Sequence, residues 1–297
     1  MTDAVTTPRP AAAATVPGVV GVLGAGRMGS GIAHAFALAG ARVVVVEADS
    51  ASAEAAGSRI ADALGWSVDR GTTERPLDEL LGSVSTATDV AALAGCGLVV
   101  EALPEDAALK REGLARVEDA VGPDAAIASN TSSLSIDGLA SALRDPARFL
   151  GLHFFNPVPA SKLVEIVVGD ATAPPLVAEA RGWVEALGKT PIVVRDAPGF
   201  ASSRLGIALG LEAIRMLEDG VASAADIDAA MELGYRHPVG PLRTTDIVGL
   251  DVRLAIAEEL HARLGERFAP PELLRRMVAE GRLGRKTGRG FYEWSEG

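Results

Sequence analysis

VVGVLGAGRMGSGIAHAFALAGARVVVVEAD, residues 19–49, is the stretch whose reading decides the fold. Val19 to Leu23 is an apolar, largely β-branched run closed by Gly24, the pattern of a buried strand. Met28, Ile32, Ala35, Phe36 and Ala39 then recur at helical spacing until Gly40 supplies a stop. ARVVVVEAD reads as a second buried strand, so the segment predicts a βαβ unit with its strands parallel.

The turn between strand and helix carries Gly24, Gly26 and Gly29 in the spacing Gly-x-Gly-x-x-Gly, with Arg27 and Met28 between the last two. The first glycine permits the turn, the second lets backbone approach a pyrophosphate, and the third lets helix pack on strand. The helix N-terminus then faces the anion. Such a string is weak alone; between a buried strand and an amphipathic helix it is a dinucleotide site. Glu47 ends the second strand, where an acid takes the ribose hydroxyls and repels a 2′-phosphate, so the cofactor is NAD rather than NADP. The bland alternative for Glu47 is an ordinary surface charge near Arg42 and Asp49.

Outward from this unit the alternation continues. A helix is predicted near Ser50 to Leu64, a connector to about Leu81, and strands near Val84 and at Gly97 to Glu101. AAIASN, RFLGLHFF, KLVEIVV and TPIVVR follow as further strands. This is the mark of a doubly wound α/β sheet of Rossmann type. After APGF, residues 197–200, strands vanish, and SSRLGIALGLEAIRMLEDG and SAADIDAAMELG have helical periodicity. The expected organisation is a disordered leader over 1–17, an NAD-binding domain over 18–196 and an all-helical domain over 197–297.

Bulk properties narrow the function. At 297 residues the chain can hold two cores, and no apolar run approaches the roughly 20 residues needed to span a bilayer. The opening apolar stretch is too short and too Pro-flanked for a secretory signal. One cysteine, Cys96, excludes an internal disulfide and fits a reducing compartment, so the expected location is cytoplasmic, with no membrane partner. A formal net charge of −11 argues against nucleic acid as a partner, because that recognition needs clustered cations.

Of the four histidines, His34 and His261 lie on amphipathic helices and His237 in a turn, where packing or solvation accounts for them. His153 ends an apolar strand in GLHFFNPVP, and strand ends on one edge of an open α/β sheet are where ligands collect.

HFFNPVP, preceded by SNTSSLSI and followed by KLVE, resembles the 3-hydroxyacyl-CoA dehydrogenase family. The likeness runs from about Val19 to the C-terminus and includes GVLGAGRMG, VVEALPED, LGKTPIVVRDAPGF, HPVGPL and RKTGRGFYEW. It implies interconversion of a 3-hydroxyacyl thioester, most simply an acyl-CoA, and its 3-keto partner with NAD. The residue matched to the family's base is His153, with Glu165 of KLVE as its carboxylate partner. A carboxylate on the far imidazole nitrogen would fix the tautomer and favour the imidazolium that forms. Ser132 matches the substrate-contacting serine, with Asn130 beside it, and Glu105 and Lys110 match residues by the cofactor or active site. The alternatives are that these serines cap a helix and that Glu105 and Lys110 pair on a helix surface. The resemblance also implies a homodimer, and it calls for no metal.

Several positions depart from the family pattern. Ser203 stands in PGFASSR where an asparagine contacting substrate is usual, which leaves a shorter side chain without the amide donor. Ala160 and Ser161 replace larger apolar residues, Arg243 stands where an acid is common, and Ala63 where some members have a CoA-touching serine. Arg70 is the best remaining basic match for CoA. An acyl-carrier-protein thioester therefore stays open beside the acyl-CoA. Two rivals stand apart: a dehydrogenase of free 3-hydroxy acids, and a non-catalytic NAD-binding protein. Neither has a use for His153, Glu165 and Ser132 together.

Overall fold

The chain divides into two units, Met1–Asp196 and Ala197–Gly297. The computed structural model describes residues 15–294, so the leader expected over 1–17 lies outside the described residues up to residue 14.

In the first unit, β1 (Val19–Leu23) leads through Gly24 into α1 (Arg27–Leu38), and β2 (Arg42–Val46) follows. α2 (Ser50–Asp69) and α3 (Leu77–Gly82) precede β3 (Val84–Ala87); β4 (Leu98–Glu101), α4 (Ala107–Ala120) and β5 (Ala126–Ser129) come next. α5 (Ile136–Ala140), β6 (Phe149–Phe154), β7 (Leu163–Val168), α6 (Pro174–Ala186) and β8 (Thr190–Arg195) complete it. Among the described residues the strands form one eight-stranded sheet in the order β3-β2-β1-β4-β5-β6-β7-β8. The order reverses between β1 and β4, which makes the crevice beyond their C-terminal ends the place where this architecture binds ligands.

β3 to β6 run parallel, as the βαβ reading requires, but β7 returns antiparallel to β6 before α6 carries the chain to a parallel β8. An apolar run looks the same in either direction, so the reversal had no signature in the sequence. Its effect is to place Glu165 directly across the ladder from His153.

The core of this unit fills the layer between the sheet and α1, α2 and α6: Val20, Val22, Ile32, Phe36, Ile60, Leu64, Leu152 and Trp183 are all buried there. Phe36 meets Phe154 edge-on at 6.5 Å between ring centroids, so α1 is keyed to the strand that carries His153. α2 extends to Asp69, beyond its expected end, capped at its start by Asp49, whose carboxylate accepts from the Ser52 amide at 2.8 Å.

The second unit is helical: α7 (Ser202–Glu218), α8 (Ala224–Gly234), α9 (Pro241–Val248), α10 (Leu250–Leu264) and α11 (Glu272–Ala279). Ile207, Leu211, Ile214, Leu250, Leu260, Phe268, Leu274 and Met277 make its core. Two buried aspartates organise its sequence motifs. Asp228 accepts from the Leu242 and Arg243 amides and the Tyr292 hydroxyl at 2.7 to 2.9 Å, capping α9 at HPVGPL. Asp246 accepts from the amides of Phe291 and Tyr292 and the Trp294 indole at 2.8 to 3.0 Å. A Cβ at Gly240 would collide with Asp228, and one at Gly284 or Gly290 with Asp246. HPVGPL and RKTGRGFYEW are thus read structurally, as clips that fasten the end of the unit to α8 and α9.

Candidate active site

The nucleotide side begins at the glycine turn. Gly24 has φ +83°, a conformation that favours glycine, and a Cβ at Gly29 would overlap the Gly24 carbonyl oxygen. At Gly26 a Cβ would meet nothing within 4 Å, so open space lies over the turn where a pyrophosphate would approach. Gly26 caps α1 without any side-chain acceptor, which leaves the first amides of the helix for an anion. Arg27 is exposed in the first turn, and half-buried Met28 packs on the core.

Glu47 lies beyond β2 and curls back to the turn, its Oε1 accepting from the Ala25 amide at 2.5 Å. This fastens the acid beside the glycines. Beyond it a cavity of about 210 Å³ is lined by Val46, Glu47, Thr88, Leu103, Leu109 and Arg116 among others, a mostly apolar slot of a size to take an adenine. These features fit NAD. Arg59 of α2, absent from the sequence reading, donates to the Ala25 carbonyl at 2.7 Å and fixes the turn from the other side.

Two loops at the C-terminal edge of the sheet come together next: 102–106 after β4 and 130–134 after β5. Glu105 is their junction. Its Oε1 accepts from the Thr131 hydroxyl at 2.7 Å, the Ser132 and Ser133 amides at 2.9 and 3.0 Å, and the Ser133 and Ser132 hydroxyls at 3.0 and 3.2 Å. These donors exceed the lone-pair sites of one carboxylate oxygen. The Ser132 hydroxyl makes the longest contact and is the one most easily turned toward another acceptor. Burial pushes the Glu105 carboxyl up, but the Thr131 hydroxyl, the Lys110 charge and the Ser132 and Ser133 bonds outweigh it and hold the group below its ordinary value. Ser132 itself is exposed, and the helix cap expected among these serines is Ser135, which accepts from the Gly138 amide at 3.0 Å.

Lys110 is only 1% exposed, so the helix-surface pairing weighed for it does not describe its place. Its Nζ donates to Glu101 Oε1 at 2.7 Å and to the Leu103 carbonyl at 3.0 Å, and stands 3.3 Å from Glu105 Oε2. Glu101 and Ser129, neither of them a site candidate from the sequence, are fully buried beneath it. A lone acid closing the apolar strand LVVE was a usable signal for Glu101.

His153 and Glu165 form the centre. Glu165 is fully buried and His153 6% exposed, and Nδ1 of the imidazole lies 2.7 Å from Glu165 Oε2. A carboxylate can only accept, so Nδ1 carries the proton in this pair. Phe155 packs on the imidazole with centroids 4.4 Å apart. Asn130 Oδ1 accepts from the Phe154 amide at 2.9 Å, bracing the serine loop to the strand that bears His153. That oxygen serves the protein itself, beside whatever Asn130 offers a cofactor.

Arg70 lines a different cavity, of about 680 Å³, together with His34, Ala63, Trp66, Ala160 and Lys189 among others. His153 is not on its wall, so this cavity is apart from the His153–Glu165 pair. His34 there is structural: its Nε2 lies 2.8 Å from the Ser67 hydroxyl, and burial lowers its pKa. Lys189 donates to the Val158 and Ser161 carbonyls, both at 2.6 Å, and so pins the loop between β6 and β7. Ser203 stands in the first turn of α7, in the second unit.

Comparison with known proteins adds to this geometry. The family described as 3-hydroxyacyl-CoA dehydrogenase, NAD binding domain, matches residues 19–197, and the C-terminal domain of the same name matches 199–294. A 3-hydroxybutyryl-CoA dehydrogenase of Mycobacterium tuberculosis (strain ATCC 25618 / H37Rv) is 45% identical over 281 residues, 93% of this chain and 98% of that protein. A probable 3-hydroxybutyryl-CoA dehydrogenase of Deinococcus radiodurans is 42% identical over 275 residues, 92% of this chain and 99% of that protein. The crystal structure of (S)-3-hydroxybutyryl-CoA dehydrogenase PaaH1 from Ralstonia eutropha is 39% identical with a TM-score of 0.90, covering 95% of this chain and 100% of that one.

Proposed function

The chain belongs to the 3-hydroxyacyl-CoA dehydrogenase family and is an NAD-dependent oxidoreductase, and on that premise we propose that it interconverts a 3-hydroxyacyl-CoA and the 3-ketoacyl-CoA with His153 as its general base. The observation that carries the assignment of the base is the cross-strand pair: an imidazole with a fully buried carboxylate 2.7 Å from Nδ1.

NAD, when bound, supplies the hydride acceptor. In the oxidative direction His153 Nε2 takes the proton of the substrate 3-hydroxyl as the hydride leaves the same carbon, and the C–O bond becomes a carbonyl. Glu165 holds the tautomer and offsets the charge that appears on the ring; it keeps its own charge throughout. The Ser132 hydroxyl, the loosest of the donors on Glu105, turns to the 3-oxygen and stabilises the charge it develops. In reduction the roles reverse, with the imidazolium returning its proton.

Arg70 and Trp66, with the cavity they line, support a CoA ester over a free acid, since a guanidinium and an indole suit a nucleotide bearing phosphates. Ser203 occupies the family's asparagine position and is assigned a substrate contact there. The exposed apolar side chains Leu205, Val221, Leu233 and Tyr235 of the second unit support a homodimer, which light scattering tests. No described helix is long and apolar enough to cross a membrane, and a cytoplasmic location agrees with the single, buried Cys96.

The deciding experiment follows nicotinamide absorbance over a panel of CoA esters, carrier-protein esters and free 3-hydroxy acids, with NAD and NADP in parallel. Turnover on CoA esters with NAD, lost in His153→Gln while NAD still binds, is the expected result. Turnover on free acids alone, or NAD binding with no turnover on any ester, overturns the reading.

A further inference from the structure

Glu101 takes no part in the proton transfer, yet its carboxylate lies fully buried at the C-terminal end of β4. Building on the dehydrogenase reading above, we propose that Glu101 is a positioning residue, which acts through Lys110 and Glu105 on the serine loop 130–134 and so sets where the Ser132 hydroxyl stands during turnover.

Burying an ionised carboxylate is unfavourable unless opposite charge and hydrogen bonds compensate for the lost water. Glu101 uses both oxygens for this. Oε1 accepts from the Leu103 amide at 2.5 Å and from Lys110 Nζ at 2.7 Å, and Oε2 from the Ser129 hydroxyl at 2.5 Å. The Ser129 oxygen accepts in turn from the Thr131 amide at 3.2 Å. One carboxylate therefore ties the loop leaving β4, the lysine of α4 and the end of β5. Those are the supports of both halves of the junction at Glu105.

The charges explain why a carboxylate is needed. Lys110 is one cation between two acids, at 2.7 Å from Glu101 and 3.3 Å from Glu105. Drawn more closely to Glu101, it leaves Glu105 partly uncompensated, and Glu105 makes up the difference with the hydroxyls and amides of Thr131, Ser132 and Ser133. With a neutral amide at 101, Lys110 turns wholly to Glu105. Glu105 then loosens its hold on the serine loop, and Ser132 loses its bearing on the reacting oxygen. A merely structural tie would not single out Ser132.

The test is a double-mutant cycle of Glu101→Gln and Ser132→Ala, with kcat and KM measured for 3-hydroxybutyryl-CoA and NAD, NAD affinity measured separately, and melting curves recorded. Glu101→Gln is expected to lower kcat about tenfold while KM for NAD stays within about threefold, and to lower it less than about twofold in the Ser132→Ala background. An equal loss in both backgrounds, or an unchanged kcat in Glu101→Gln, overturns the proposal. If Glu101→Gln does not fold, Ser129→Ala removes only the hydroxyl that links Glu101 to Thr131; its effect must also vanish in the Ser132→Ala background, and additivity overturns the proposal. A wild-type enzyme with no turnover on the ester removes the dehydrogenase reading and the proposal together; an active wild type with additive effects removes the proposal alone.

Discussion

Replacing Glu165 by glutamine separates the charge of this residue from its geometry. The amide oxygen can still accept from His153 Nδ1 across the 2.7 Å contact, so ring orientation and tautomer are kept while the negative charge is lost. With nitrogen and oxygen at that distance the charge centres of imidazolium and carboxylate lie roughly 4 Å apart, worth about 4 kcal/mol at an effective dielectric of about 20. Glu165 is fully buried, so bulk screening does little to reduce this. The charge appears on the ring only as the proton moves, and the loss should therefore fall on kcat, by roughly 10³-fold, since each 1.36 kcal/mol is about a factor of ten. The assay is steady-state reduction of NAD by a 3-hydroxyacyl-CoA, with NAD affinity measured by titration calorimetry. A drop of under about tenfold in kcat, or a loss carried by NAD affinity, would refute the claim that this carboxylate supports a positive ring in the transition state.

Three further outcomes are expected. Ser203→Asn restores an amide donor at the family position and should raise kcat/KM on short acyl-CoA esters by about tenfold, one contact's worth; an unchanged value across chain lengths would show that position 203 does not touch substrate. Asp246→Ala strands the Phe291 and Tyr292 amides and the Trp294 indole, and thermal unfolding should report a loss of about 3 kcal/mol or more; a melting curve like the wild type's would contradict the clip. Because the Glu105 carboxyl is held below its usual 4.5, its contribution to stability is complete above that value and is lost as pH falls through the lower, folded one. Urea unfolding across the acid range should accordingly fall off less steeply in Glu105→Gln than in the wild type.

The opening βαβ unit was legible because each of its signals is local: an apolar run, a glycine turn, a helical period and another apolar run in residues 19–49. The doubly wound sheet followed by a helical unit was legible for the same reason, as the alternation of strand and helix patterns ends at APGF. The direction of β7 was not, because the strand LVEIVV, buried at its four central residues, carries no period that tells parallel from antiparallel. Glu165 could be paired with His153 beforehand only through the family motif; the physical cause, a shared rung of the ladder, needs the topology. Lys110 illustrates the opposite case. A lysine on a helix reads as solvated, and its burial depends on Glu101, nine residues earlier on another element. Arg59 and Lys189 were silent for a related reason: each makes its shortest contacts with carbonyls far away in sequence, and a carbonyl acceptor leaves no trace in residue type.

The pairing of His153 with Glu165 across a sheet has a bearing on how the enzyme can vary. Both are anchored in strand backbone rather than in the loops that follow, and the ladder between β6 and β7 moves them as one body. Changes in the crossing segments at 130–134 and 155–162 can occur without altering the distance between this imidazole and its carboxylate. New substrates are thus within reach of loop drift that leaves this pair in place.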